Sequence, residues 1–459
     1  MDEQSIIDLV KQQKKFFSHH KSIDVDFRKK QLLKLSAAIN KYELEIIDAL
    51  YKDLHRPETE AYSADIFSIL DEIKYAVKSL NKWSRPQKIK TPLILQPGKA
   101  FISPDPYGVV LILSPWNYPI DLALSPLIGA ISAGNTAIIK PSEHAPNCSK
   151  IIAKIIASVF EKEYVAVVEG DAKESSILLK EKFDYIFFTG GETVGKIVAQ
   201  AAAKHLTPVT LELGGKSPCI VDKHANIDVA ARRIAWGNSF NAGQTCISPD
   251  YLYVHEEVKD EFVEAFKKAN QNFFKNNKET KDYSRIVNKN HFTRISKLMQ
   301  DGDVLVGGNT DENELYIEPT LIGNVSKDDR IMQEEIFGPV MPMLVYKELD
   351  EVIDYINSKP KPLALYFFSH SLIRQNKILK YTSSGGVAIN DVLAHYRNKN
   401  LPFGGVGTSG MGAYHHRKSF DTFSHLKSVQ KRTFFDLGLE NAPYNLKLKT
   451  LKMLLRLFA

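Results

Sequence analysis

Cysteine is scarce in this chain: 459 residues carry three, Cys148, Cys219 and Cys246. At those spacings they make neither a disulfide framework nor a zinc-ligand set, and they suit a reducing compartment. No apolar run reaches the roughly 18 residues that argue for a membrane-spanning helix. The N-terminal Met-Asp-Glu-Gln-Ser lacks the basic and apolar regions of a secretory leader, so none is expected. An excess of one charge is lacking too. The 60 Lys and Arg against 54 Asp and Glu leave +6, with both signs mixed throughout, which gives no nucleic-acid footprint. The 13 histidines show no H-x-x-x-H or H-E-x-x-H spacing, and no metal site is expected. Asn147-Cys-Ser149 and Asn324-Val-Ser326 match glycosylation sequons by chance in such a chain. No repeat or low-complexity tract is evident. These exclusions leave a soluble cytoplasmic protein, long enough for two or three domains.

What is present is a change of pattern along the chain. Residues 1–90 read as helical: Ile66, Ile69, Leu70, Ile73, Val77 and Leu80 keep the spacing of a core-facing stripe. Leu32, Leu35, Ile39, Ile46 and Leu50 repeat it less regularly. Pro86, Pro92 and Pro97-Gly98 break that region, and extended pieces at 93–95 and 100–103 read as a hairpin joined by Gln-Pro-Gly. From Gly108, apolar runs at 109–113, 136–139, 165–168, 185–188 and 209–211 alternate with helix-length segments. That alternation implies a parallel sheet covered on both faces. A second alternation follows Gly214-Gly215, with strands at 218–221, 252–254, 340–345, 363–368 and 386–390 and helices near 227–239 and up to about 274. Residues 275–300 are polar and basic and read as surface. The fold class is α/β, a two-domain enzyme with a hinge near Glu212.

Cys246 lies in a Gly- and Pro-flanked loop, Asn241-Ala-Gly-Gln-Thr-Cys-Ile-Ser-Pro-Asp-Tyr251. Alone it reads as structural, because free Cys is among the most buried and inert residue types and an attacking thiol needs local help to ionise. Upstream, Leu211-Glu-Leu-Gly-Gly-Lys-Ser-Pro218 places a carboxylate, Glu212, at an apolar strand end. In Trp116-Asn-Tyr-Pro119, Asn117 is either an amide donor for a developing oxyanion or a turn-former before Tyr-Pro. Lys140-Pro-Ser-Glu143 offers two groups able to meet ribose hydroxyls, or an ordinary charged strand end. Glu334-Glu335-Ile-Phe-Gly-Pro339 puts two carboxylates before an aromatic and a turn, with an exposed acidic turn as the bland alternative.

Two nucleotide signatures mislead if taken literally. Gly190-Gly-Glu-Thr-Val-Gly-Lys196 matches the start of a phosphate loop, but Ile197 replaces the hydroxyl residue that would hold a magnesium ion. Phosphoryl transfer is disfavoured, while a strand-to-helix turn at Gly190 and Gly195 still suits a pyrophosphate. Gly405-Val-Gly-Thr-Ser-Gly410 matches the dinucleotide fingerprint without a clear strand before it or an acidic residue about twenty positions on, so it reads as a structural turn.

Taken together, Pro115-Trp-Asn-Tyr-Pro119, Lys140-Pro-Ser-Glu143, Leu211-Glu-Leu-Gly-Gly-Lys-Ser-Pro218, Gly243-Gln-Thr-Cys246, Glu335-Ile-Phe-Gly-Pro339 and Pro402-Phe-Gly-Gly-Val-Gly407 resemble the aldehyde dehydrogenase superfamily, in its order, from about residue 20 to 430. The compact start and the Cys-Ile-Ser-Pro-Asp-Tyr continuation look most like its class 3 branch. The resemblance implies two Rossmann-type parallel-sheet domains plus a small bridging sheet. It divides the chain into a cofactor-binding domain (1–90 and 104–211), a catalytic domain (212–414), bridging segments (91–103 and 415–440) that pair a homodimer, and a basic tail (441–459). It implies oxidation of medium- or long-chain aliphatic, or aromatic, aldehydes to acids with NAD, NADP being accepted by many of the branch. Cys246 would attack the carbonyl, giving a thiohemiacetal and then a thioester. Asn117 and the Cys246 N–H would hold the oxyanion, and Glu212 would activate water. Trp116, Lys140, Glu143, Gly190, Gly195, Glu335 and Phe337 would form the cofactor site. Within it, Glu335 and Phe337 stand at the nicotinamide end, and Lys140 and Glu143 at the adenosine ribose. A free carboxylate at 143 would repel a 2′-phosphate, which favours NAD. Gly191 and Ser248 depart mildly from the family pattern.

In the tail, Leu451, Leu454, Leu455 and Phe458 line one helical face and Lys449, Lys452 and Arg456 the other. Such a helix either packs on the protein or lies on an anionic membrane surface. The rival readings are a coenzyme A-acylating enzyme, a cofactor-free thiol esterase and a non-catalytic scaffold.

Overall fold

The two alternations are realised as two mostly parallel sheets in a computed structural model, which describes residues 1–92, 95–273, 282–434 and 447–458. Across the first sheet the strands run Gly410–Met411, Val209–Glu212, Tyr185–Thr189, Val109–Leu113, Thr136–Lys140 and Val165–Val167. All are parallel except the Gly410–Met411 edge. Every residue of Val109–Leu113, Thr136–Lys140 and Tyr185–Thr189 is buried. Strands covered on both faces bury apolar side chains along their middles, which is why these segments read as mainly apolar runs. The chain moves outward from Val109–Leu113 to Val165–Val167, then returns to the other side. The switch point therefore lies between Val109–Leu113 and Tyr185–Thr189, where ligands bind at the carboxyl ends of strands. The loops leaving those ends carry Trp116, Asn117, Gly190 and Gly191.

The second sheet runs Asp303–Val306, Thr320–Gly323, Val340–Tyr346, Tyr251–His255, Pro218–Val221, Ala364–Phe368 and Gly386–Ile389. Only the Asp303–Val306 edge is antiparallel. Cys246 stands between the helix Ile227–Ser239 and the strand Tyr251–His255. Gly410 pairs with Glu212, so the late Gly-rich turn closes the edge of the first sheet.

The N-terminal stripe residues fall on the helices Val25–Lys41, Glu43–Leu54 and Phe67–Trp83, the last preceded by a π-helical turn, Ala61–Ile66. Leu32, Leu35, Ile39, Ile46, Leu50, Ile66, Ile69, Ile73 and Leu80 are buried together against the first sheet, with Leu70 and Val77 packed at the margin.

Two expectations are corrected. The small antiparallel sheet consists of Gln87–Ile89, Gly98–Pro106 and Ser424–Arg432. Residues 100–103 lie inside its middle strand, which pairs with Gln87–Ile89 on one side and Ser424–Arg432 on the other. Leu95 is outside any strand, and residues 93–94 lie outside the described residues. Gln87–Ile89 is exposed along its length, so no apolar alternation marks it. Second, 282–300 is not simply surface: Tyr283, Ile286, Phe292, Ile295 and Leu298 are core, on and before the helix Lys289–Leu298. Charged residues between them mask the stripe.

The tail forms a helix, Leu448–Phe458, with Lys449, Lys452 and Arg456 exposed. The side chains of Leu451, Leu454, Leu455 and Phe458 lie outside the described residues. Among the described residues no helix is long and apolar enough to cross a membrane.

Candidate active site

The Cys246 loop is built on an unusual backbone. Asn241, Ala242 and Gly243 all adopt left-handed φ values, 53°, 52° and 68°. Such consecutive left-handed residues persist only where surrounding contacts over-determine them. Those contacts are present. A Cβ at 243 would stand 2.3 Å from the Gly338 carbonyl oxygen, so glycine lets two loops touch there. The buried Gln244 side chain donates to the carbonyls of Asn241 (3.0 Å) and Arg285 (2.9 Å) and accepts from the Val287 N–H (2.9 Å). The Tyr366 hydroxyl donates to the Ile247 carbonyl at 2.5 Å. Cys148 and Cys219 are buried, whereas Cys246 is partly exposed.

Cys246 opens on a cavity of about 470 Å³, whose wall it shares with Glu212 and with Phe67, Leu122, Trp236, Phe240, Leu393 and Phe403. That volume suits a small molecule. Glu212 is 3% exposed, and neither carboxylate oxygen has a hydrogen-bond partner. Burial pushes its pKa well above the ordinary carboxyl range. Burial, then the Glu335 and Glu212 carboxylates, push the Cys246 thiol up, against its own N–H and that of Ile247. A buried carboxyl with raised pKa is, once ionised, a stronger base toward a water than an exposed one.

Asn117, 3% exposed, donates its side-chain amide to the Gln244 carbonyl at 3.0 Å, two residues before Cys246. One amide hydrogen is used in that bond and the other remains available. The neighbouring Tyr118 hydroxyl meets Thr245 Oγ1 at 2.7 Å.

The cofactor-side residues gather at the switch point and opposite it. The helix Glu192–Ala203 starts at Gly191 with no side-chain cap, leaving its first N–H groups for an anion. A Cβ at Gly190 would lie 2.6 Å from the Phe188 ring, and one at Gly195 2.7 Å from Leu213. Gly195 thus brings the helix close to the sheet and acts as a packing glycine. Lys140, 4% exposed, donates to Glu143 Oε2 at 3.1 Å and to the Pro141 carbonyl at 3.0 Å. The Glu143 carboxylate is therefore paired, not free as expected. Burial opposes its charge, but its own N–H and Lys140 prevail and lower its pKa.

Across the gap, Phe337 (φ 49°) stands edge-on to Trp116, ring centres 5.3 Å apart, and His291 packs on Trp116 at 5.2 Å. Burial, then Asp250, push Glu335 up to about 8. Its loop is held by Asp250, which accepts the Ile336 N–H at 2.9 Å and pairs with Lys216. The chemistry of these groups fits a dinucleotide: an uncapped helix N-terminus for phosphate, aromatic faces of Trp116 and Phe337 in contact, and a carboxylate, Glu335, beside Gly214. Among the described residues no cluster of His, Cys, Asp and Glu could hold a metal ion.

Sequence reasoning missed Arg56, Asp65, Asn241, Gln244, His291 and Arg294. Gln244 and Asn241 lay inside the quoted Cys246 motif, and left-handed backbone there was a readable hint in Asn-Ala-Gly. Arg294 donates to the carbonyls of Glu335 (3.1 Å) and Ile336 (2.6 Å), a contact with no sequence signal.

A doubly wound sheet whose strand ends reach a cavity lined by a thiol and a buried carboxylate suits a nucleotide-dependent enzyme that works through sulfur. The sequence profile of the aldehyde dehydrogenase family matches residues 1–429. The chain is 50% identical to the 4,4'-diaponeurosporen-aldehyde dehydrogenase of Staphylococcus aureus, over 96% of each chain. It is 44% identical to the dimeric NADP-preferring aldehyde dehydrogenase of Canis lupus familiaris, over 93% of this chain and 94% of that one. The substrate-bound structure of Staphylococcus aureus AldH superposes with a TM-score of 0.96 at 49% identity, covering 98% of this chain and 99% of that one. The chain belongs to the aldehyde dehydrogenase family and is an oxidoreductase that oxidises aldehydes with NAD(P).

Proposed function

We propose that Cys246 is the nucleophile, Glu212 the general base and Asn117 the oxyanion donor of this oxidation. The observation that carries the assignment is the shared cavity: a partly exposed thiol and a partnerless buried carboxylate line one largely apolar chamber. The Cys246 thiol gives up its proton to solvent, and its sulfur adds to the aldehyde carbonyl. The alkoxide of the thiohemiacetal is held by the Asn117 amide and the Cys246 N–H. NAD(P), when bound, accepts the hydride that leaves the former aldehyde carbon. Glu212 takes a proton from water as it attacks the thioester and passes that proton to the departing sulfur, so the acid and the thiol are released. Glu335 would hold the nicotinamide-side ribose beside Phe337 and Trp116, and Lys140 with Glu143 the adenosine-side ribose. The helix N-terminus after Gly190 and Gly191 would take the pyrophosphate. The apolar, aromatic walls favour medium- or long-chain aliphatic or aromatic aldehydes.

Reduced-nicotinamide absorbance with purified protein, NAD or NADP and a panel of aldehydes tests the assignment. Reduction that tracks the aldehyde and disappears in Cys246→Ser supports it. Reduction that persists in the variant removes Cys246 from the role, and turnover that requires coenzyme A reassigns the acyl acceptor.

The same reading makes the enzyme a cytoplasmic homodimer. Ser424–Arg432 is an edge strand, available to a second copy, and the three thiols suit a reducing compartment. The basic tail either packs on the dimer or contacts anionic lipid. Liposome co-sedimentation with and without residues 444–459 separates the two: equal pelleting rules out the lipid contact.

A further inference from the structure

Arg56 stands in the link between the helix Glu43–Leu54 and the π-helical turn Ala61–Ile66, and its side chain is wholly buried. One guanidinium nitrogen pairs with Asp65, also wholly buried, and another donates to the main-chain carbonyl of Asn117. The guanidinium lies 4.5 Å from the centre of the Tyr118 ring. The Asn117 carbonyl also accepts from the Asn241 side-chain amide at 2.9 Å. Asn241 and Asn117 both donate to the Gln244 carbonyl, at 3.1 and 3.0 Å. The other oxygen of Asp65 accepts the Asp121 N–H at 3.1 Å. The loop after the strand Val109–Leu113 and the loop carrying Cys246 are thus tied together around a carbonyl that one buried cation grips.

Stability alone is a weak reason for that cation. The cost of removing both charges from water offsets most of their attraction, and apolar side chains would fill the same volume as well or better. What the pair adds is a rigid planar fork aimed at a fixed acceptor. The turn carrying Asp65 points the same way. π-Helical turns occur mostly as single widened turns, frequently at functional sites. Ser63 and Ala64 of this one line the substrate cavity, while Asp65 turns inward to Arg56.

We propose that Arg56, oriented by Asp65, is a positioning residue for aldehyde oxidation. By holding the Asn117 carbonyl it keeps the Asn117 amide and the Cys246 loop in register with the oxyanion that forms on the substrate. The proposal rests on Cys246 as nucleophile and Asn117 as oxyanion donor. Arg56 lies behind both and acts through Asn117.

Arg56→Lys is the informative variant. It keeps the positive charge beside Asp65, but one ammonium cannot reproduce the planar fork. Single-turnover hydride transfer, the KM for aldehyde and for NAD, and the thermal midpoint are measured for Arg56→Lys, Asn117→Ala and the double variant, with Cys246→Ser alongside. The expected result is hydride transfer slowed about 10- to 100-fold in Arg56→Lys, the scale of a small misplacement of reacting groups. The KM for NAD stays at the wild-type value. The double variant is no slower than Asn117→Ala within about twofold, because the two losses are one loss. A wild-type single-turnover rate in Arg56→Lys overturns the proposal, as do losses that multiply in the double variant. If Arg56→Lys does not fold, Asp65→Asn replaces it: slowed hydride transfer at unchanged KM for NAD is expected, and a wild-type rate overturns the proposal. Failure of the underlying assignment shows elsewhere, as wild-type rates in Cys246→Ser or Asn117→Ala alone.

Discussion

Gly214 lies against the carboxylate of Glu335: a Cβ at 214 would stand 2.2 Å from Oε2 and 2.6 Å from Oε1. The residue two positions after Glu212 therefore sets where the proposed ribose ligand stands. Gly214→Ala should displace that carboxylate and raise the KM for NAD by about tenfold, the scale of losing one charge-assisted hydrogen bond. Steady-state kinetics at saturating aldehyde measure it. An unchanged cofactor KM would take Glu335 out of the ribose site.

Glu212 should govern deacylation. Its carboxyl, raised by burial, becomes a base only as pH climbs past that elevated value. The kcat should therefore rise with pH along its acid limb. Glu212→Gln should lose that limb and about 10²- to 10⁴-fold in kcat, while still giving one burst of cofactor reduction per site. Rapid mixing shows the burst. No burst would place Glu212 at acylation instead, and an unchanged kcat would remove it from the mechanism.

Lys140 and Glu143 form a pair of opposite charges 3.1 Å apart at the proposed adenosine ribose. Neutralising the acid should leave Lys140 to face a 2′-phosphate. Glu143→Gln is expected to raise kcat/KM for NADP relative to NAD by about tenfold, one charged hydrogen bond's worth. A ratio that does not move would locate the adenosine ribose elsewhere.

How much of this was legible in the sequence depended on whether one side chain or many carried the signal. Val109–Leu113 and Pro218–Val221 were readable to the residue, since a strand buried on both faces announces itself as an apolar run. Gln87–Ile89 was not, because its pairing is main-chain and its side chains are all exposed. The helix Lys289–Leu298 was obscured because only Phe292, Ile295 and Leu298 of its ten residues are buried. At the candidate site, Cys246, Glu212 and Asn117 stood out in the sequence through their motifs, and the fold brings Cys246 and Glu212 to one cavity. The clamp beneath them did not stand out. Arg56 and Asp65 become partners only when a π-helical turn sets their spacing, and no local pattern foretells that the acceptor is a carbonyl at Asn117.

Glu72 joins stability to pH away from the chemistry. It is 3% exposed, accepts the His416 N–H at 2.7 Å, and is pushed up to about 7 by burial, with Lys399 and that N–H opposing. His416 stacks on Tyr75, ring centres 3.8 Å apart, and burial lowers its pKa to about 4, so near neutrality it cannot repay the carboxylate with a charge. A carboxyl whose folded pKa exceeds its unfolded value of 4.5 binds its proton more tightly in the fold. The stabilisation is complete below about 4.5 and is lost as pH rises through about 7. Glu60 and Glu335 shift in the same direction, so the wild-type curve alone does not isolate Glu72. The difference from Glu72→Gln does. The two proteins should melt together at about pH 4, and at about pH 8 the variant should melt roughly 2–6 °C higher, the proportion expected of a long chain relieved of one buried charge. Curves that run parallel across that range would mean Glu72 ionises in the fold as it does in the unfolded chain, and that His416 or Lys399 compensates its charge.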